Sequence, residues 1–170
     1  SRLDYIKNLG FNTIWISPVF CSEFEDGGYD ITDFYKIDPR FGTNTDLVNL
    51  VNDAHAKGIK VCLDLVAGHT SDKHPWFLES ANGDPNGHYA DYYIWTKGKK
   101  TTPPKPERGG WVKNEYPRDG YYLMNYYDIQ PALNYGYYQP DPENSWEQAY
   151  NAPGPKACLL YTSPSPRDAH

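Results

Sequence analysis

A chain of 170 residues with 39% apolar content can bury the core of one ordinary domain. Its 16 basic against 22 acidic residues give a formal charge of −6; with no basic stripe to neutralise phosphates, this argues against a nucleic-acid or anionic-membrane partner. No apolar run approaches the roughly 20 residues that cross a bilayer, and the first residues carry no charged-then-apolar export pattern.

In chain order, Leu3, Ile6 and Leu9 stand at helical spacing and Gly10 follows, which predicts a short helix over Arg2 to Leu9. Asn12 to Ser17, rich in β-branched and aromatic residues and closed by Pro18, predicts a buried strand. A loop through Glu23 to Gly28 follows. A second helix is predicted from near Thr45, with Leu47, Leu50, Val51 and Ala54 on one face and Gly58 at its end. Directly behind it, Ile59 to Val66 reads as a second strand. The order helix, strand, helix, strand implies parallel strands joined by right-handed crossovers, the unit of α/β folds. Beyond Thr70, turn residues such as Asn82-Gly83-Asp84-Pro85 and the stretch Thr101 to Pro106 interrupt aromatic clusters, and no amphipathic helix of useful length is expected. This stretch reads as an ordered, loop-rich insertion.

Cys21, Cys62 and Cys158 are too few and too scattered for a disulfide framework or zinc site and read as free thiols. The 16 Tyr, 5 Trp and 6 Phe gather after residue 88. Flat apolar faces with polar handles suit stacking on sugar rings, and equally build cores and interfaces. Asp26 and Tyr29 sit in the loop after the first strand, Asp64 within the second, and His69 just beyond it. Parallel strands present their carboxyl ends to one face, where loops assemble sites. Singly, each residue has a plainer role open to it: Asp64 a buried acid held by backbone donors, His69 a hydrogen-bonded core histidine, Asp26 a turn former before Gly27-Gly28.

Taken together they form a pattern. Gly28-Tyr29-Asp30-Ile31-Thr32-Asp33-Phe34-Tyr35, running on to Gly42-Thr43, resembles the segment after barrel strand 2 in glycoside hydrolase family 13, the α-amylase family. Asp64-Leu65-Val66-Ala67-Gly68-His69-Thr70-Ser71-Asp72 is similar to that family's first signature, at the end of strand 3. His88 to Trp95 resembles the start of its inserted domain B, and Gln130-Pro131-Ala132-Leu133-Asn134 resembles the Gln-Pro-Asp-Leu-Asn signature of the oligo-1,6-glucosidase branch. The resemblance covers Ser1 to about Ala157. It implies an α/β fold, a partial TIM (β/α)8 barrel holding strands 2 and 3 with their helices, plus the loop-rich domain B. The implied divisions are 1–75 for the partial barrel, 76–140 for domain B and 141–157 for the return toward the barrel. Residues 158–170 look like translated adapter sequence.

The resemblance also implies roles on an α-glucoside oligosaccharide substrate. Asp64 and His69 would contact sugar hydroxyls, Tyr29 would form the stacking floor under the ring, Asp26 would hold the terminal sugar of an exo-acting enzyme, and Gln130 would reach the same pocket from domain B. Gly68 stands where the family usually has Asn, which in α-amylases ligates calcium; glycine has no side chain to coordinate with, so no metal and no cofactor are expected. Ala132 replaces the Asp of the branch signature, which leaves linkage specificity open. The nucleophile and acid/base carboxyl groups of a retaining glycosidase, about 5–5.5 Å apart, follow barrel strands 4 and 5 in this family, and a full barrel takes roughly 250 residues. The chain is therefore expected to be an incomplete, inactive piece of a retaining α-glucosidase-type enzyme or of a transglycosylase such as a trehalose synthase. A catalytically silent carbohydrate-binding or partner subunit is the alternative from another class. Opening at Ser1 inside a helix suggests missing upstream chain. Free thiols favour the cytoplasm, and open sheet edges favour poor solubility.

Overall fold

The computed structural model describes residues 2–84, 86–96 and 109–135. The expected adapter-derived tail 158–170 with Cys158, the return segment 141–157 and the stretch Thr101 to Pro106 lie outside them. The chain divides into two compact units, residues 1–66 and 67–170.

In the first unit, α1 (Leu3–Asn8) ends where Gly10 takes φ +88°. The Phe11 amide then reaches back to the Ile6 carbonyl at 3.3 Å and the Gly10 amide to Lys7 at 2.9 Å, closing the helix on its last carbonyls. β1 (Thr13–Ile16) runs parallel to β4 (Lys60–Leu63), with Thr13 opposite Lys60 and Ile16 opposite Leu63. Between them come β2 (Phe20–Ser22), β3 (Ile31–Ile37) and α2 (Asn44–Ala56). The start of α2 is a capping box: the Asp46 amide donates to Thr43 Oγ1 at 3.2 Å while the Thr43 amide donates to Asp46 Oδ2 at 2.8 Å. The core of this unit joins Leu3, Ala54 and Ile59, with Ile6, Ile14, Leu50 and Val61 packed against it. Both helices thus cover one face of the β1–β4 pair. On the other face Trp15, opposite Cys62, is 74% exposed.

The antiparallel β2–β3 pair was not expected from sequence. Its register shifts at Phe20/Cys21 and Cys21/Ser22, and in β3 the buried residues are Ile31, Phe34 and Ile37. Irregular pairing of this kind erases the alternation by which strands are read.

The second unit contains α3 (Pro75–Asn82), a correction to the expectation of no useful helix beyond Thr70. The helix has only 8 residues, too few for a clear periodicity. Its ends are nonetheless marked: Pro75 opens it, the His74 ring nitrogen accepts from the Trp76 amide at 3.1 Å, and Gly83 closes it at φ +85°. β5 (Gly110–Lys113) and β6 (Tyr121–Met124) pair antiparallel. Phe77, Ala81, Tyr92, Tyr93, Tyr122 and Leu133 form the core, with Trp76, Tyr89, Trp95 and Val112 around it. Much of the aromatic load is therefore structural. Arg118 pins this core, its guanidinium 4.3 Å from the Trp95 ring and donating to the Ala90 carbonyl at 2.7 Å; burial lowers its pKa from the ordinary value.

Replacing Thr43 with Ala removes the side-chain half of the α2 cap at a cost of about 1 kcal/mol. The expected outcome is a lower urea midpoint with an unchanged slope; an unaltered midpoint would show that the cap contributes nothing.

Candidate functional site

Asp64 follows β4 directly, and its amide continues the parallel ladder by donating to the Ile16 carbonyl at 3.1 Å. Its half-buried carboxylate therefore stands at the carboxyl end of a strand, fixed by the sheet itself. Tyr29 comes from the loop between β2 and β3, and its hydroxyl donates to Asp64 Oδ2 at 2.8 Å. That loop is built around a wholly buried carboxylate. Asp30 accepts from Ser22 Oγ at 3.2 Å, from the Glu25 amide at 3.0 Å and from the Asp26 amide at 3.2 Å. A buried charge needs such donors to offset lost hydration, so Asp30 dictates the course of the chain through Asp26. Gly28 completes the turn at φ +101°; a Cβ there would lie 2.9 Å from the Pro18 carbonyl oxygen, which leaves room for glycine alone. Phe24, at φ +64°, holds a left-handed conformation unusual outside glycine, with the Arg40 guanidinium 4.8 Å from its ring.

The first unit thus brings Tyr29 and Asp64 into direct contact and places Asp26 on the same loop as Tyr29. The Asp64 hydrogen bond, with burial and the carboxylate charges of Asp64 and Asp26 adding to it, raises the Tyr29 pKa from its ordinary 10.0. Bonding to the neutral phenol and a nearby negative charge both oppose its ionisation.

In the second unit His69 and Gln130 are both buried, Gln130 completely. Gln130 Oε1 accepts from the Tyr127 amide at 3.2 Å, and its backbone amide donates to the Tyr127 carbonyl at 2.9 Å. Asn125 links the two candidates: its backbone amide donates to the Gln130 carbonyl at 2.9 Å, and its side-chain nitrogen lies 3.1 Å from His69 Nδ1. The exposed Tyr126 meets the His69 ring edge-on, centroids 5.9 Å apart. A separate cleft of about 460 Å³, with Asp72, Phe77, Asn114, Tyr122 and Asp128 among its walls, is lined by none of the candidates.

Sequence reasoning missed two residues of this arrangement. Asp30 lay inside a quoted motif, yet only its burial reveals its purpose. Asn125 carried no local signal, since its partner is 56 positions away. Among the described residues no group of three or more His, Cys, Asp or Glu side chains could hold a metal ion. Where α-amylases carry a calcium-ligating Asn, Gly68 offers nothing, and the group facing it is the Asn125 amide nitrogen, a donor and not a ligand. No described helix is long and apolar enough to cross a membrane.

The first unit presents a carboxylate and a phenol at the carboxyl end of a parallel strand, and the second an imidazole beside amide groups; all are groups that exchange hydrogen bonds with polar ligands. Comparison with known proteins specifies the class. The family description "Alpha amylase, catalytic domain" matches residues 1–151. Trehalose synthase/amylase TreS of Mycobacterium tuberculosis is 44% identical over 140 residues, covering 79% of this chain and 23% of the relative. Oligo-1,6-glucosidase of Heyndrickxia coagulans is 45% identical over 139 residues, covering 79% and 25%. Among solved structures, the trehalose-6-phosphate hydrolase TreA of Bacillus licheniformis matches with a TM-score of 0.70 at 41% identity, over 78% of this chain and 25% of that one. The isomaltulose synthase PalI of Klebsiella sp. LX3 matches with a TM-score of 0.71 at 40% identity, over 79% and 25%. The chain belongs to the α-amylase family, glycoside hydrolase family 13, whose catalytic domain is a TIM barrel. It spans about a quarter of the length of these relatives.

The Tyr29–Asp64 bond predicts a titration. Followed by NMR of the tyrosine ring carbons, Tyr29 ionises above 10.0, and Asp64→Asn brings it down toward that value by weakening the hydrogen bond to the phenol and removing the carboxylate charge. A Tyr29 that titrates identically in both proteins would show the bond absent in solution.

Proposed function

We propose that this chain is the part of a retaining, exo-acting α-glucosidase-type enzyme, or of a transglycosylating relative, that binds the sugar without cleaving it. The substrate class is α-linked gluco-oligosaccharides. In the first unit Asp64 accepts sugar hydroxyls, Tyr29 gives an apolar face to the ring and Asp26 binds the terminal sugar. In the second, His69 and Gln130 are polar partners of hydroxyl groups. The observation that carries this reading is the Tyr29–Asp64 pair, 2.8 Å apart, at the carboxyl end of a parallel strand in a chain of this family. Relatives named as hydrolases and as synthases match at similar identity, so either water or a sugar hydroxyl serves as acceptor in the whole enzyme.

On this reading residues 1–75 are a sector of the barrel with its strands 2 and 3, residues 76–140 are domain B, and the cleaving carboxylates belong to later strands. Exposure of Trp15 on the β1–β4 face supports the sector reading, because parallel sheets are covered on both faces in complete folds. The chain alone is expected to release no glucose from maltose or isomaltose. Steady release that depends on purified chain overturns the proposal. In a protein extended through the remaining barrel strands, Asp64→Asn or His69→Gln lowers kcat/KM by about 10- to 100-fold, the worth of one hydrogen bond involving a charged or strongly polarised group. Wild-type kcat/KM in both variants would remove them from the sugar site.

A further inference from the structure

We propose that Asn125 is a positioning residue for His69, holding the imidazole as the tautomer protonated on Nε2, and that Gly68 is glycine because this bond needs the space. The Asn125 side-chain nitrogen stands 3.1 Å from His69 Nδ1. An amide nitrogen only donates, so Nδ1 presents its lone pair and the neutral ring keeps its proton on Nε2. The donor is itself held in place. The Asn125 backbone amide donates to the Gln130 carbonyl at 2.9 Å, and the Gln130 amide closes the turn on Tyr127 at 2.9 Å. Gln130 Oε1 then accepts from the Tyr127 amide at 3.2 Å.

His69 is fixed from its own side too. Its backbone bridges Ala132, and the Leu133 amide donates to the Gly68 carbonyl at 3.0 Å. Imidazole and amide thus sit on two neighbouring backbone segments tied together by main-chain bonds, so their meeting does not depend on a flexible arm. A Cβ on residue 68 would stand 2.7 Å from the Asn125 nitrogen, closer than carbon and nitrogen tolerate. A side chain there makes the amide, the far end of the Asn125 side chain, shift from this position beside the ring.

The consequence for ligand binding rests on the sugar-site reading above: His69 then offers an N–H to a hydroxyl oxygen and does not accept from a hydroxyl proton at Nε2. The tautomer itself does not depend on that reading. It is tested in the 170-residue chain labelled with ¹⁵N-histidine, using long-range proton–nitrogen spectra, with His69→Gln assigning the resonance among the 5 histidines. The expected spectrum has His69 Nδ1 unprotonated and Nε2 protonated. Asn125→Asp replaces the donor with an acceptor and moves the proton to Nδ1, while Gly68→Ala loses the fixed tautomer with Asn125 still present. A wild-type ring protonated on Nδ1 overturns the proposal, and so do folded Asn125→Asp and Gly68→Ala variants with wild-type nitrogen shifts. Because the wild-type spectrum alone can refute the assignment, a variant that fails to fold does not protect it. Adding methyl α-glucoside to the same sample separates the two readings. The expected tautomer with no response of His69 to the sugar supports this inference and overturns the sugar contact.

Discussion

Parallel pairing of β1 with β4 is the constraint from which the first unit follows. Parallel neighbours cannot be joined by a tight turn, so the chain must travel the length of the sheet and return. The return path is α2, whose capping box at Thr43 fixes where it begins and whose Leu50 and Ala54 join the core against the strands. Because Lys60 falls opposite Thr13 and Leu63 opposite Ile16, the next residue, Asp64, comes off the sheet at its carboxyl end with its amide still bonded to Ile16. The Asp64 carboxylate is in this way positioned by sheet register and not by a loop.

What the sheet does for Asp64, buried polar groups do for the loops. Asp30 gathers two backbone amides and a hydroxyl and so shapes the path to Asp26 and Tyr29. Asp38 acts in the same way nearby, accepting from the Ser22 amide at 3.3 Å and the Arg40 amide at 2.9 Å, with the Arg40 guanidinium at 2.9 Å. In the second unit Gln130 and Asn114 play that part, Asn114 Nδ2 donating to the Arg118 carbonyl at 2.6 Å and to Ala81 at 3.1 Å. Irregular backbone carries unpaired amides and carbonyls, and a short polar side chain inside the loop satisfies several at once. Loops rich in function can then be as fixed as the strands beside them.

This division explains what was legible in the sequence. α1 and α2 were legible from helical spacing and end signals, and β1 and β4 from short apolar, β-branched runs, although β1 buries one face only, Trp15 being exposed on the other. β2 and β3 were not, since their register shifts break the alternation, and α3 was too short for its face to show. The family was legible because its motifs are local strings at strand ends, and the comparison matches the same family. Partnerships such as Tyr29 with Asp64 across 35 positions, or His69 with Asn125 across 56, were not. No propensity or spacing rule links residues that only the fold brings together.

Gly68 shows how far such a long-range dependence reaches. In sequence it is only a departure from a signature, the loss of a side chain that could have bound a metal. In the structure the space beside it is taken by the Asn125 side chain from the turn after β6, whose nitrogen lies 2.7 Å from where a Cβ would be. The polar group next to His69 thus comes from the turn after β6 and not from the segment after β4. The hydrogen-bonding group is present, but it faces the ring as a donor. A residue that is missing from a motif is for this reason weak ground for declaring a site degraded; the question to ask is what now fills its space, and which atoms that newcomer turns toward the neighbours it inherits.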